Sequence, residues 1–120
     1  MTVDDFRRIA LSMPEAAEGS HMGHPDFRAG GRIFATVCYP DSHWGMVGLT
    51  PEQQNEFVST WPESFHPVKG GWGRRGSTNV RLDTVKEDQL RAAISSAWRK
   101  ATETKSARRA PQRSKSARRQ

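Results

Sequence analysis

A single cysteine, Cys38, is all the chain contains, and one thiol excludes an intramolecular disulfide framework. It fits a reducing compartment. No apolar run approaches the roughly 18 residues of a membrane-spanning helix. The start, Met1-Thr2-Val3-Asp4-Asp5-Phe6, lacks the cationic and apolar stretches of a secretory signal. These absences point to a cytoplasmic protein with no membrane partner. Apolar residues are also scarce, at 34% with a mean hydropathy of −0.80. The 120 residues suffice for one ordinary domain, but this composition directs attention to a segment outside any core.

Net charge is missing from most of the chain. Residues 1–100 hold twelve Lys and Arg against twelve Asp and Glu. The whole +6 comes from residues 101–120, where Lys105, Arg108, Arg109, Arg113, Lys115, Arg118 and Arg119 face only Glu103. The high isoelectric point therefore reports a basic tail on a neutral domain. The tail holds Lys-Ser-Ala-Arg-Arg twice, at 105–109 and 115–119, with Pro111 between. Its composition forms no core, and disorder is expected over 103–120.

Catalytic patterns are also missing. No serine sits in a nucleophile elbow. The glycines at 70–76 match neither a Walker nor a dinucleotide fingerprint, since they precede a strand instead of opening a helix. Cys38 has no base within reach by sequence and reads as a small buried residue. His21 and His24, with Glu18 and Asp26 nearby, invite a metal reading. A strand-and-turn segment with that spacing does not bring both rings to one face, and no second ligand pair follows. Either histidine as a general base lacks a visible partner constellation. The expectation is a protein without catalysis, cofactor or metal.

What the chain does have is Lys69-Gly70-Gly71-Trp72-Gly73-Arg74-Arg75-Gly76-Ser77-Thr78. Glycine permits φ > 0 and close backbone approach. Tryptophan offers a broad flat surface, and the arginines are planar cationic forks suited to phosphate or carboxylate. Trp44, Trp61 and Trp98 read as core or domain edge, whereas Trp72 either works at the surface or plugs one end of a sheet.

Around this loop the patterning alternates between helix and strand. Residues 3–13 read as a helix capped by Thr2, with Phe6, Ile9, Ala10 and Met13 on one stripe and Pro14 ending it. Strands are expected at 18–22, 26–29, 32–39, 44–49 and 78–82, with a short extended piece at 65–68. Gly23-His24-Pro25 reads as a turn and Gly30-Gly31 as a tight hairpin. In the third strand Ile33, Ala35 and Val37 share one face, and both faces are apolar enough for a central strand. Pro40-Asp41-Ser42-His43 is turn chemistry. Thr50-Pro51-Glu52-Gln53 opens a second helix that stops near Thr60. Thr84, with Glu87 three residues on, caps a final helix to about Thr102 whose stripe includes Leu90, Ile94, Ala97 and Trp98.

Several segments carry a resemblance. Glu18-Gly19-Ser20-His21-Met22-Gly23-His24-Pro25-Asp26-Phe27-Arg28, Gly31-Arg32-Ile33-Phe34-Ala35, Leu49-Thr50-Pro51-Glu52-Gln53, Gly70-Gly71-Trp72-Gly73-Arg74-Arg75-Gly76 and Ala97-Trp98-Arg99 are similar, in order, to the MmcQ/YjbR family over residues 1–102. The resemblance implies an α+β, frataxin (CyaY)-like domain, an antiparallel sheet backed by N- and C-terminal helices. It also implies the double-wing DNA-binding description attached to that family. It supplies no catalytic set. Frataxin-like iron binding needs an acidic ridge, and Asp4 and Asp5 alone do not make one.

The resulting expectation is a monomeric, non-catalytic DNA-associated protein. Trp72, Arg74 and Arg75 would contact phosphates or a guanine edge, with Arg28 and Arg32 from the neighbouring hairpin. The tail would add attraction without sequence choice. The alternative is a pocket for a small anionic metabolite or a protein carboxylate, lined by His24, Trp72, Arg74 and Arg75.

Overall fold

Helices begin where the chain provides a cap. Thr2 Oγ1 accepts from Asp5 N at 3.1 Å and Asp5 Oδ2 accepts from Thr2 N at 2.8 Å, closing a capping box at the start of α1 (Val3–Leu11). The helix ends two residues before its expected limit. Ser12 turns its hydroxyl back to Ile9 O at 2.6 Å, and Met13, preceding Pro14, is disfavoured from helical geometry. Thr50 and Gln53 form the same box at α2 (Pro51–Thr60), with Pro51 at its first position.

The computed structural model describes residues 1–38 and 41–109, with side chains to residue 103. Its six strands form one antiparallel sheet in the order β1-β2-β3-β4-β6-β5: β1 (Ala17–His21), β2 (His24–Ala29), β3 (Arg32–Val37), β4 (Trp44–Gly48), β5 (Phe65–Pro67) and β6 (Ser77–Arg81). Strand β3 lies inside the sheet, as its apolar faces imply. The Gly30-Gly31 hairpin forms, with φ of 63° and 80°. The first turn falls elsewhere than expected. Met22 (φ 52°) and Gly23 (φ 81°) make it, and His24 and Pro25 belong to β2, with His24 opposite His21. Positive φ at both central residues is the primed turn that suits strand twist, and this overrides the turn propensity of Gly-His-Pro.

Pairing steps from Phe27↔Ala35 to Arg28↔Ile33, so β3 carries one extra residue, Phe34. This bulge breaks the expected alternation. Phe34 and Ala35 are both buried, while Ile33 is 43% exposed.

Alternation elsewhere shows a sheet with one covered face. Gly45, Val47, Thr78 and Val80 are buried, whereas Trp44, Met46, Asn79 and Arg81 face water to varying degree. The covered side packs Phe6, Ile9 and Ala10 of α1 and Leu90, Ala93, Ile94 and Ala97 of the last helix, α4 (Glu87–Arg109). Phe6 lies against Phe27 at 5.9 Å and over Gly45, where a Cβ would sit 2.5 Å from its ring. Phe57, Trp61 and Phe65 form an aromatic group under α2.

α4 departs from expectation at both ends. Thr84 does not cap it. Its hydroxyl donates to Glu63 O at 3.0 Å and meets Ser64 Oγ at 2.8 Å, tying the chain to the α2–β5 link. At the other end the helix passes Thr102 and runs to Arg109, so the first Lys-Ser-Ala-Arg-Arg copy has helical backbone. The buried stripe stops at Ala101, but neither proline nor glycine interrupts the good helix formers before Pro111. Side chains of Lys105, Arg108 and Arg109, and all of Arg113, Lys115, Arg118 and Arg119, lie outside the described residues.

Candidate functional site

The glycine-arginine stretch is a clamped turn instead of an open loop. Gly71–Arg74 make a single helical turn, α3, between β5 and β6. Two glycines let it press onto neighbouring backbone. A Cβ on Gly73 would sit 1.6 Å from Val68 O, and one on Gly76 (φ 114°) would sit 1.9 Å from Leu49 O. Such approaches admit no side chain without backbone displacement. Gln54 of α2 locks the turn from below, its Nε2 donating to Gly73 O at 2.9 Å and Ser77 O at 3.0 Å. Leu49 N donates to Gly76 O, Val68 N to Ser77 O, and Thr78 Oγ1 to Gly76 O at 2.8 Å. Glycine here serves close packing more than flexibility.

That rigid base presents its large side chains outward. Trp72 is 67% exposed, and Arg74 and Arg75 are exposed as well. Among the described residues neither arginine forms a salt bridge. Arg75 Cζ stands 5.5 Å from the Trp72 ring centroid, a cation–π contact between the two exposed side chains. Trp72 therefore does not plug the sheet. Trp61 and Trp98 do pack on the core, and Trp44 makes an edge contact with His66 at 5.9 Å.

Arg28 and Arg32 lie at the same end of the sheet in a different setting. They line a cavity of 470 Å³ with Gly31, Ile33, Gly48, Ala97, Lys100 and Ala101. Lys100 Nζ donates to Leu49 O at 3.2 Å, the same carbonyl against which Gly76 packs. One backbone oxygen thus joins the cavity wall to the Trp72 turn. Burial pushes the Lys100 ammonium below the ordinary lysine range. Sequence reasoning overlooked Lys100, although its place between Ala97 and Ala101 on the apolar stripe marks it as a cation held near the core.

Arg28 is already engaged. Its Nε and Nη2 donate to Asp26 Oδ1 and Oδ2 at 2.7 and 3.1 Å, and His21 Nδ1 meets Oδ2 at 2.8 Å. The Asp26 side chain is fully buried, whereas Arg28 and His21 are 48% and 46% exposed. Gly19 opposite leaves the space, since its Cβ would lie 3.0 Å from Asp26 Oδ1. The Arg28 hydrogen bonds hold the Asp26 carboxyl below the usual carboxylate range, burial opposes them, and His21 adds to the lowering.

Two expectations change. His21 and His24 are directly paired across the hairpin and therefore share a face, contrary to the spacing argument. Their Nδ1 atoms go to separate partners, Asp26 Oδ2 and Cys38 O. No group of three or more His, Cys, Asp or Glu able to hold a metal occurs among the described residues. His24 also sits beside Cys38 at the opposite end of β3 from the Leu49 region. It does not share a pocket with Trp72, Arg74 and Arg75. The concave site beside the turn is built from other residues.

The fold and site define a small α+β domain with a half-covered antiparallel sheet and cations gathered at one sheet end. The YjbR family model matches residues 11–100, and the chain belongs to that family. Among solved structures, protein DR2400 of Deinococcus radiodurans, described as having a DUF419 domain, superposes with a TM-score of 0.71 at 22% identity over 85% of this chain and 79% of that one. The likeness is one of fold. No curated protein matches the chain. No helix among the described residues is long and apolar enough to cross a membrane.

Proposed function

We propose that the sheet end carrying Trp72, Arg74 and Arg75 binds nucleic acid without catalysis. The observation that carries this reading is the pairing of an exposed indole with two arginines that make no salt bridge among the described residues. Arginine forks suit phosphate oxygens, and an exposed indole stacks on an unpaired base. The geometry favours single-stranded or locally opened nucleic acid, because stacking needs a free base face. Arg32 and Lys100 extend the positive surface, and the basic segment of α4 and residues 110–120 add charge.

Fluorescence anisotropy of the full chain with a labelled single-stranded oligonucleotide, repeated across salt, tests the reading. Arg74→Ala/Arg75→Ala should weaken binding and reduce the log K–log[salt] slope by about 1.4, two contacts at about 0.7 each. Absence of binding by the full chain at low salt refutes it. Unchanged affinity and slope in the double variant assign binding to the tail instead.

A further inference from the structure

We propose that the cavity between the β2–β3 hairpin and α4 is a distinct site for a terminal phosphate group on an organic body. Its sources are a nucleoside monophosphate or a phosphorylated strand end. The cavity lies beside the Trp72 turn, but the inference does not depend on polymer binding there.

Three cations from three elements line the cavity: Arg28 of β2, Arg32 of β3 and Lys100 of α4. None of its lining residues is acidic. Arg28 spends Nε and Nη2 on Asp26, so its position is fixed while Nη1 makes no hydrogen bond among the described residues. Lys100 is held at the cavity wall by the hydrogen bond from its Nζ to Leu49 O. Asp26 offsets the Arg28 charge, so Arg32 and Lys100 supply the net positive charge that a terminal phosphate, with three oxygens and nearly two charges, would meet, and Arg28 adds its Nη1 donor. At 470 Å³ the space lies within the range of about 300–1,000 Å³ typical of small-molecule sites and exceeds what a bare phosphate fills. Ile33, 43% exposed, supplies an apolar surface for a sugar or base. Small residues keep the space open: a Cβ on Gly48 would meet only Phe34 O, at 3.8 Å.

Calorimetric titration of the full chain with a nucleoside monophosphate, the matching nucleoside and inorganic phosphate is the first arm. Competition between 5′-phosphorylated and 5′-hydroxyl oligonucleotides is the second. The monophosphate should bind and the nucleoside should not, with inorganic phosphate weaker than the monophosphate. Arg32→Gln and Lys100→Gln should each weaken monophosphate binding about tenfold, the loss of one charge-assisted hydrogen bond. Gly48→Val should block it sterically without removing charge. Thermal melting of each variant confirms that it is folded. A preference for the phosphorylated oligonucleotide that disappears in these variants identifies a strand end as the ligand. Monophosphate binding without that preference identifies the free nucleotide. Failure of the monophosphate and the phosphorylated end alike to outbind their unphosphorylated counterparts overturns the proposal. Equal binding by Gly48→Val and the parent also overturns it. Both results are independent of Trp72 and Arg74, so the cavity and the turn succeed or fail separately.

Discussion

Arg28 and the Arg74-Arg75 pair show two uses of the same side chain within one small sheet. Arg28 is turned onto a fully buried Asp26 and shares it with His21. Arg74 and Arg75 stand on a locked turn and form no salt bridge among the described residues. In the first case the surrounding fold needs the charge, because a buried carboxylate left alone is costly. In the second the fold needs only the backbone beneath, and the guanidinium groups are available to a partner. The comparison separates cations that maintain the structure from cations displayed by it.

Breaking the platform should have the largest effect. Gly76→Val forces a β-branched side chain onto a residue at φ 114° whose Cβ position meets Leu49 O. Backbone strain and overpacking together should cost about 3 kcal/mol or more. Thermal melting should show a fall exceeding about 10 °C. Next comes removal of the structural arginine. Arg28→Ala leaves Asp26 with only His21 and should cost about 1–3 kcal/mol, reduced from a fully buried pair by its 48% exposure. Arg74→Ala/Arg75→Ala should stay within about 0.5 kcal/mol by denaturant unfolding, as expected for surface positions. Equal losses in the two variants would erase the distinction.

Acid sharpens the same contrast. The Asp26 carboxyl titrates below its unfolded value in the folded state. Its pairing therefore stabilises the fold at pH above about 4, and that contribution is lost as pH falls through the lower folded value. Unfolding measured from pH 7 to 2 should show this loss in the parent and a flatter profile in Asp26→Asn. The smallest effect belongs to the hairpin tip. Met22, 90% exposed at φ 52°, should gain about 0.5–1 kcal/mol on change to Asn, which tolerates that conformation.

The sequence was most legible where local chemistry acts alone. Thr2 and Thr50 announced their helices, Gly30-Gly31 its hairpin, and the apolar stripes most of the core. Misreadings arose where distant parts meet. The turn at Met22-Gly23 follows from strand register, not from the neighbouring proline. Thr84 is drawn to Glu63 and Ser64 instead of capping α4. Phe34 is buried because a bulge interrupts alternation, which no local pattern reveals. At the candidate site, composition singled out Trp72, Arg74 and Arg75. Their clamping by Gln54 and the cavity assembled by Lys100 depend on chain segments far apart in sequence.

Indole N–H resonances provide the most direct test of the displayed turn. The protein has four tryptophans, each with one indole N–H, and Trp72→Phe assigns the relevant signal. On titrating single-stranded oligonucleotide into the full chain, the Trp72 signal should shift progressively while those of Trp61 and Trp98 stay in place. Saturation of oligonucleotide binding with the Trp72 signal unmoved would contradict the claim that this turn is the working surface.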